Sequence, residues 1–313
     1  MSTTTFSSVP RQGILAALWL PTDAEGRLLT DALRHNLAFI KRHGVSGVLA
    51  LGSTGEFPQF DLEQRKHLLA TVAELAAPLP VIANISDIRP RVVAELGRFA
   101  RRLGLPAVAI MPPGFFPAAQ EDLLAHFTHA AEAAGLPTFL YNFPLLTGAR
   151  INLETVAAFA DRAPMAGIKQ SGAEFAYHRD LIALGREKKF VVFSGSDTRL
   201  PEVFALGAVG CIGGLANIAP DLMVHLHRVC REGVPGAIEP AFERLRVIGA
   251  HVDRLTFPLN VAAGMAARGL LTGEPKAIVS AASREIYGSI VADLRGKFRE
   301  WELETQPATA MTL

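Results

Sequence analysis

Short apolar runs, many of them rich in β-branched residues, recur along most of the chain, and a longer amphipathic segment follows each run. The amphipathic segments carry apolar residues at helical spacing, as Leu33, Leu37 and Ile40 do within residues 31–42. Apolar runs of this length predict strands that are buried on both faces. We predict eight such strands, at residues 13–18, 47–51, 80–83, 107–111, 137–141, 165–169, 190–194 and 209–213.

The alternation of strands and helices predicts a parallel sheet, because a helix carries the chain back between neighbouring parallel strands. Eight strand–helix units are the number that closes a (β/α)8 barrel, which typically spans about 250 residues. A doubly wound open sheet is the competing architecture, but no G-x-G-x-x-G motif follows the first strand. We therefore predict an α/β fold, a TIM barrel over residues 13–232, preceded by a flexible arm at residues 1–12.

The pattern changes near residue 233, where Val234, a proline and a glycine interrupt the chain. Apolar residues then recur at helical spacing through 237–252 and 260–269, and Pro258 separates these two segments. We expect residues 233–313 to form a helical extension that packs on the barrel as an appendage, without an independent function.

Composition narrows the range of partners. The 313 residues are 50% hydrophobic and 19% charged, and the formal net charge is +1. Because no basic block is present, nucleic acids and anionic membranes are poor candidates. Two cysteines do not make a disulfide framework, which fits a reducing cytoplasm. The sequence shows no signal peptide and no apolar run of membrane-spanning length, so we expect a cytoplasmic protein.

Lys169 is the strongest candidate for chemistry, because it alone among the seven lysines ends a predicted strand. In a (β/α)8 barrel the reactive groups follow the carboxyl ends of the strands. Burial disfavours the ammonium form of a lysine, and a neutral amine attacks a ketone to give a Schiff base. A structural lysine paired with a buried carboxylate is the alternative interpretation.

Hydroxyl groups stand at two other strand ends. Tyr141 ends the fifth strand, either as a core aromatic or as a proton donor. Ser53 and Thr54 lie between glycines after the second strand, and their O–H and N–H groups suit a carboxylate. All nine histidines fall on predicted helices or helix ends, away from the strand ends where metal ligands would be needed. We therefore expect no metal, and chemistry through a Schiff base on Lys169 requires no organic cofactor.

Five motifs together resemble the dihydrodipicolinate synthase / N-acetylneuraminate lyase family. They are G-S-T-G-E at 52–56, Y-N-F-P at 141–144, G-I-K-Q-S-G at 167–172, G-S-D at 195–197 and G-C-I-G-G-L-A-N at 210–217. The resemblance covers residues 13 to about 221. It implies that Lys169 forms a Schiff base with pyruvate or another 2-oxo acid, that Tyr141 moves protons, and that Ser53 and Thr54 hold the carboxylate. It also implies a homo-oligomer, either a dimer or a tetramer.

The chain departs from the family at three places. Leu146 stands where the synthases have an arginine that binds the aldehyde's carboxylate, and leucine cannot make that contact. Thr198 and Gly214 replace the acidic residue and the serine with which sialic acid lyases bind sugar hydroxyls. Phe115 and Phe116 replace a tyrosine pair, so a tyrosine proton relay across subunits cannot form.

The glycines after the last strand either let the backbone pass close to a ligand or make room beside Lys169. A phosphate cradle is disfavoured, because no arginine or lysine lies nearby to neutralise a phosphate. We expect catalysis by Lys169, Tyr141 and Thr54. The residues predicted to contact the substrate are Gly52, Ser53, Thr54, Leu146, Asp197, Gly213 and Gly214.

The resulting hypothesis is a class I lyase or aldolase that acts on pyruvate or a 2-oxo-3-deoxy sugar acid through a lysine iminium. Three alternatives remain open. They are dihydrodipicolinate synthesis, dehydration of a 2-oxo-3-deoxy sugar acid, and binding of a 2-oxo acid without turnover.

Overall fold

Eight parallel strands close into a barrel in the computed structural model, which describes residues 8–172, 174–234 and 236–306 apart from the side chain of Thr198. The strands follow one another in chain order, and the last pairs with the first. They are β1 (Gly13–Ala17), β2 (Gly47–Ala50), β3 (Val81–Asn84), β4 (Ala107–Ile110), β5 (Thr138–Asn142), β6 (Met165–Gln170), β7 (Val191–Ser194) and β8 (Gly210–Gly213). The predicted (β/α)8 barrel is confirmed, with each strand boundary within one residue of its prediction.

Helices alternate with the strands and surround them. They are α1 (Thr30–Arg42), α2 (Leu62–Ala76), α3 (Pro90–Arg102), α4 (Gln120–Ala134), α5 (Pro144–Thr147), α6 (Leu153–Arg162), α7 (Phe175–Lys188), α8 (Leu200–Leu206), α9 (Pro220–Glu232), α10 (Ile238–Val252), α11 (Leu259–Ala267) and α12 (Ala281–Glu300). Helix α2 starts at Leu62 because Asp61 and Gln64 form a reciprocal capping box there. The sequence analysis did not anticipate the short helix α5.

The apolar core has two layers, as expected for strands that are buried on both faces. One layer fills the barrel interior and includes Leu15, Ile82, Phe139 and Phe193. The other lies between the strands and the surrounding helices. Gly167 on β6 accommodates the inner layer, because a Cβ atom there would lie 2.6 Å from the ring of Phe139.

The C-terminal helices are tied to the mouth of the barrel by buried polar contacts. Trp19, just after β1, donates a hydrogen bond from Nε1 to the carbonyl of Thr272 at 2.8 Å. Lys276 Nζ lies 2.9 Å from Glu56 Oε1 and 4.4 Å from the centre of the Trp19 ring. Burial lowers the pKa of Lys276, and the charge of Glu56 opposes that shift. The extension is therefore anchored to the loops that follow β1 and β2.

Part of the predicted N-terminal arm lies against the barrel. Pro10 is buried, and the Gln12 side chain accepts a hydrogen bond from Arg231 at 2.7 Å. Residues 1–7 of the arm and residues 307–313 of the extension lie outside the described residues. Within the described part of the chain, no helix has both the length and the apolar character needed to cross a membrane.

Candidate active site

Lys169 and Tyr141 face each other at the carboxyl end of the barrel. They are register partners on the neighbouring strands β6 and β5, and both side chains are buried. Lys169 Nζ donates a hydrogen bond to the Tyr141 hydroxyl at 3.0 Å and lies 4.1 Å from the centre of its ring. The pairing of β5 with β6 thus brings together the amine and the phenol that the sequence singled out.

The loop after β2 carries its hydroxyl groups to the same place. Ser53 Oγ lies 3.1 Å from the Tyr141 hydroxyl, so a continuous chain of polar groups runs from Ser53 to the amine. The two residues that bracket the loop, Leu51 and Glu56, both adopt a left-handed backbone with φ of 56°. Residues other than glycine rarely adopt this backbone conformation. It persists where the surrounding structure enforces it, commonly at functional sites.

A cavity of about 270 Å³ opens above the amine of Lys169. Its barrel side includes Thr54, Tyr141, Lys169, Asp197 and Gly214. Its opposite wall comes from the C-terminal helices and the segment that joins them, through Gly249, Val252, Asp253, Phe257, Asn260 and Val261. The volume lies at the small end of ligand sites, which suits a small organic acid. The appendage is therefore part of this site.

Asp197 supplies a carboxylate to the cavity wall. Its Oδ2 accepts a hydrogen bond from the Leu215 backbone at 3.1 Å, and its Oδ1 accepts one from Cys211 Sγ at 3.3 Å. Burial raises the pKa of the Asp197 carboxyl, while these hydrogen bonds and the charge of Lys169 oppose that shift. Burial also raises the pKa of the Cys211 thiol, which keeps it protonated and able to donate.

Two glycines create the space that these side chains occupy. A Cβ atom on Gly213 would lie 1.5 Å from Asp197 Oδ1. A Cβ atom on Gly195 would lie 2.9 Å from Lys169 Cε and 2.0 Å from Ser171 Oγ. Of the two predicted substrate-contacting glycines at the end of the last strand, Gly214 lines the cavity, whereas Gly213 accommodates Asp197. The room beside Lys169 comes from Gly195, which follows β7.

A second cavity, of about 670 Å³, adjoins the first, and Phe257 borders both. Ser53 and Leu146 line this larger cavity. Neither is among the residues that line the cavity above Lys169, although Ser53 reaches that site through its contact with Tyr141. Gly52 lines neither cavity and accepts a backbone hydrogen bond within its loop. The side chain of Thr198 lies outside what the structure describes.

The larger cavity contains two guanidinium groups, and one carboxylate pairs with both. Arg65 Nη1 lies 3.1 Å from Asp87 Oδ2, and Arg89 Nε lies 2.8 Å from Asp87 Oδ1. Burial lowers the pKa of Arg65 to about 10, and the charge of Asp87 opposes that shift. One carboxylate neutralises only one of the two guanidinium charges, and the other carboxylate in this wall, Glu56, pairs with Lys276.

The sequence analysis missed several lining residues. Ser171, Phe143, Asp253 and Asn260 all line the cavity above Lys169. A signal for Asn260 was present, because it is the single polar residue in the sequence LNVAAGMAA of α11. Among residues 8–172, 174–234 and 236–306, no group of three or more His, Cys, Asp or Glu side chains is placed to hold a metal ion.

Comparison with known proteins identifies the family of this chain. The model of the dihydrodipicolinate synthetase family matches residues 10–296. The chain is 34% identical to the 4-hydroxy-tetrahydrodipicolinate synthase of Pseudomonas savastanoi pv. phaseolicola, over 73% of this chain and 77% of that protein. It is 31% identical to the synthase of Methanopyrus kandleri, over 85% and 89%.

Solved structures give the same result. YagE, a prophage protein of the dihydrodipicolinic acid synthase family from E. coli K12 in complex with pyruvate, superposes with a TM-score of 0.84 at 26% identity, over 93% of this chain and 99% of YagE. The dihydrodipicolinate synthase of Acinetobacter baumannii, also complexed with pyruvate, gives 0.83 at 26% identity, over 91% and 99%. From the family match and these likenesses we conclude that the chain belongs to the dihydrodipicolinate synthetase family of lyases.

Proposed function

We propose that this protein is a class I lyase or aldolase that joins pyruvate to an aldehyde, or releases it from a 2-oxo-3-deoxy acid, through a Schiff base on Lys169. The observation that carries the proposal is the 3.0 Å contact between Lys169 Nζ and the Tyr141 hydroxyl at the base of a small cavity. A buried amine beside a proton-transfer group is the arrangement that carbonyl chemistry requires.

In the cleavage direction, Lys169 Nζ adds to the C2 carbonyl of the substrate and gives a carbinolamine. Loss of water, with a proton supplied through Tyr141, gives the iminium. The C3–C4 bond then breaks, its electrons pass into the iminium as an enamine, and the C4 hydroxyl loses its proton to Tyr141 as the aldehyde leaves. Protonation of the enamine at C3 and hydrolysis release pyruvate and restore the free amine.

Thr54 and Ser53 have a binding role in this proposal. The Thr54 side chain lines the cavity, and we expect its hydroxyl and the backbone N–H groups of the loop to hold the substrate carboxylate. Ser53 contacts the Tyr141 hydroxyl, so we expect it to orient the phenol and to pass protons. Fixing the acid in this way aligns the ketone with the amine, and the best-oriented reactants gain up to about 7–11 kcal/mol of barrier from such alignment.

Trapping with borohydride tests the proposal directly. Borohydride reduces an iminium to a stable secondary amine, so incubation with pyruvate should add a reduced pyruvyl group to a single peptide that contains Lys169. Intact-mass and peptide mass spectrometry would locate the group, and Lys169→Arg is the control that should remain unlabelled. Absence of an adduct with pyruvate and with a series of longer 2-oxo acids would refute the proposal.

Dihydrodipicolinate synthesis is the second candidate, and the names of the relatives favour it. Leu146 stands against it, because it leaves the aldehyde's carboxylate without the arginine of the synthases. The two arginines of the larger cavity share the carboxylate of Asp87, and neither lines the cavity above Lys169. A coupled assay with pyruvate and aspartate semialdehyde distinguishes the two candidates, since turnover comparable to that of a known synthase would favour the second.

The same Schiff base also permits dehydration of a 2-oxo-3-deoxy sugar acid, or binding of a 2-oxo acid without turnover. Product analysis separates these outcomes. Pyruvate release indicates a lyase, a dehydrated acid with its carbon chain intact indicates a dehydratase, and a trapped adduct without any product indicates a binding protein. Neither a metal nor an organic cofactor enters the proposed steps, and treatment with a chelator should leave the rate unchanged.

We also propose that the protein is a cytoplasmic homo-oligomer, either a dimer or a tetramer. Phe115 and Phe116, after β4, expose 87% and 66% of their surface, and Ile88, after β3, exposes 54%. Large apolar side chains exposed in this way are suited to burial against a second copy of the chain. Light scattering coupled to size-exclusion chromatography tests this assembly, and a monomer at micromolar concentration would contradict it.

A further inference from the structure

The loop at residues 51–56, which we call the carboxylate loop, is held at both ends by side chains from other parts of the chain. At its start, the Leu51 carbonyl accepts a hydrogen bond from Asn84 Nδ2 at 2.6 Å. Asn84 ends β3, so this anchor belongs to the barrel. At its end, Glu56 pairs with Lys276, which lies between α11 and α12 and 220 positions further along the chain. The second anchor therefore comes from the C-terminal extension.

The two anchored residues are also the two with a left-handed backbone. Leu51 and Glu56 both have φ of 56°, a conformation that residues other than glycine keep only where their surroundings enforce it. The Glu56 N–H donates a hydrogen bond to the Ser53 carbonyl at 3.0 Å. A change in the conformation of Glu56 would therefore move the backbone that carries Ser53 and Thr54.

The segment that carries Lys276 is itself fixed to the loop after β1. The Glu274 N–H donates to the Thr22 carbonyl at 2.7 Å, and the Thr272 carbonyl accepts from Trp19 Nε1 at 2.8 Å. The ring of Trp19 also lies against the ammonium group, with Lys276 Nζ 4.4 Å from its centre. The amine that meets Glu56 is therefore held in place by the barrel mouth and not only by its partner.

Burial makes this ion pair a constraint on position. The side chain of Lys276 is 3% exposed and that of Glu56 is 13% exposed. A buried pair contributes little net stability compared with apolar side chains of similar size, because both charges lose their hydration, whereas a buried charge left alone is costly. The pair therefore restricts where Glu56 can lie more than it stabilises the fold.

From these contacts we infer that Lys276 is a positioning residue, which acts through Glu56 to keep the carboxylate loop in the conformation that binds the carboxylate of the 2-oxo acid. This inference rests on the proposed Schiff-base function and deepens it, because it gives the C-terminal extension a part in binding the donor acid. Loss of the pair should weaken binding of the carboxylate and leave the attack of Lys169 on a carbonyl intact.

The test uses the double variant Lys276→Met with Glu56→Gln. It removes both charges and keeps the approximate shapes of both side chains, so it should remain folded. Borohydride trapping on Lys169 is measured over a range of pyruvate concentrations. The half-saturating concentration should rise by about 10-fold, because apparent affinity falls with the fraction of molecules whose loop is competent to bind. The trapping rate at saturating pyruvate should remain that of the native protein.

Acetone distinguishes positioning of the loop from general damage to the site. It forms an iminium with an amine but has no carboxylate for the loop to bind. Trapping of acetone on Lys169, at high acetone concentration, should therefore be equally fast in the native protein and the double variant. The matched control is Lys297→Met with Glu300→Gln, the same substitutions in an exposed pair of α12, and it should leave both reactions unchanged. Urea unfolding measures the stability of both double variants.

The outcomes separate the inference from the proposal on which it rests. If pyruvate forms no adduct on Lys169 of the native protein, both fail. If the native protein is labelled and the Lys276→Met, Glu56→Gln variant needs no more pyruvate than the native protein, the inference fails while the Schiff base stands. Equal slowing with pyruvate and acetone, or a double variant that does not fold, would make the pair merely structural and would also overturn the inference.

Discussion

The substitution Gly195→Ala tests whether the space beside Lys169 matters for chemistry. The added Cβ atom would lie 2.9 Å from Lys169 Cε, whereas non-bonded carbon atoms are most stable at about 3.5–4.0 Å. The end of the lysine must therefore move by roughly 0.6 Å or more. The Cβ atom would also lie 2.0 Å from Ser171 Oγ, which a rotation of that hydroxyl can relieve, and 3.0 Å from Ser171 Cβ, a contact that the rotation leaves in place. Both Lys169 and Ser171 must therefore shift, and the shift of Lys169 is the one that moves the amine.

We expect Gly195→Ala to fold with a free energy of unfolding lower by about 1–3 kcal/mol, the usual cost of overpacking. A displacement of the reacting amine that approaches 1 Å reduces catalysis by up to about 100-fold, so we expect the rate of adduct formation with pyruvate to fall by about 10- to 100-fold. Time-resolved borohydride trapping measures this rate, and urea unfolding measures the stability.

Two further variants separate the steric effect from general destabilisation. Ser171→Ala in the Gly195→Ala background removes the contact with the hydroxyl but retains the contact with Lys169, so stability should partly recover while trapping remains slow. Gly288→Ala is the matched control, because Gly288 is exposed in α12 and its added Cβ atom meets no atom within 4 Å. It should raise stability by about 1 kcal/mol and leave trapping unchanged. A Gly195→Ala protein that traps pyruvate at the native rate would refute the steric explanation.

Three other substitutions have distinct expected results. Tyr141→Phe removes the hydroxyl that contacts Lys169 and should lower kcat by about 100- to 10,000-fold in a pyruvate-release assay; a loss below 10-fold would contradict its role in proton transfer. Lys276→Met leaves the largely buried Glu56 unpaired and should lower the free energy of unfolding in urea by about 3–5 kcal/mol. An added Glu56→Gln should restore most of this loss. Equal stability of the single and double variants would contradict the pairing. Because burial raises the pKa of Asp197, its contribution to stability is present at acid pH and declines as the pH rises through that pKa. The free energy of unfolding of the native protein relative to Asp197→Asn should therefore fall as the pH rises from about 4 towards neutrality, and a constant difference would contradict the direction of the shift.

The barrel was predictable because its signals are local. Each strand is a compact apolar run followed by a helix with one apolar face, and eight repeats of that unit leave few alternatives to a closed barrel. The same rule located Lys169 and Tyr141, since residues at the carboxyl ends of neighbouring parallel strands must be close together. The structure confirms this proximity with the 3.0 Å contact.

The remainder of the site depends on contacts between segments that are distant in sequence. Asn260 and Asp253 enter the cavity only because α10 and α11 fold over the mouth of the barrel, and no periodicity in the sequence specifies where a helix outside the barrel docks. The separation of Leu146 from Lys169 arises from α5, whose four residues are too few to produce a helical pattern. The role of Gly195 depends on a distance to Lys169 that a one-dimensional motif does not contain.

The two walls of the cavity above Lys169 come from different parts of the chain. The amine and phenol stand on strands whose inward side chains are held by their neighbours all round the barrel, whereas the facing wall belongs to helices that no strand pairing constrains. If the proposed function holds, substitutions in α11 should change which second reactant is accepted and leave the groups on β5 and β6 in place. Such a division would allow closely related barrels to differ in the second reactant while they keep the same reaction.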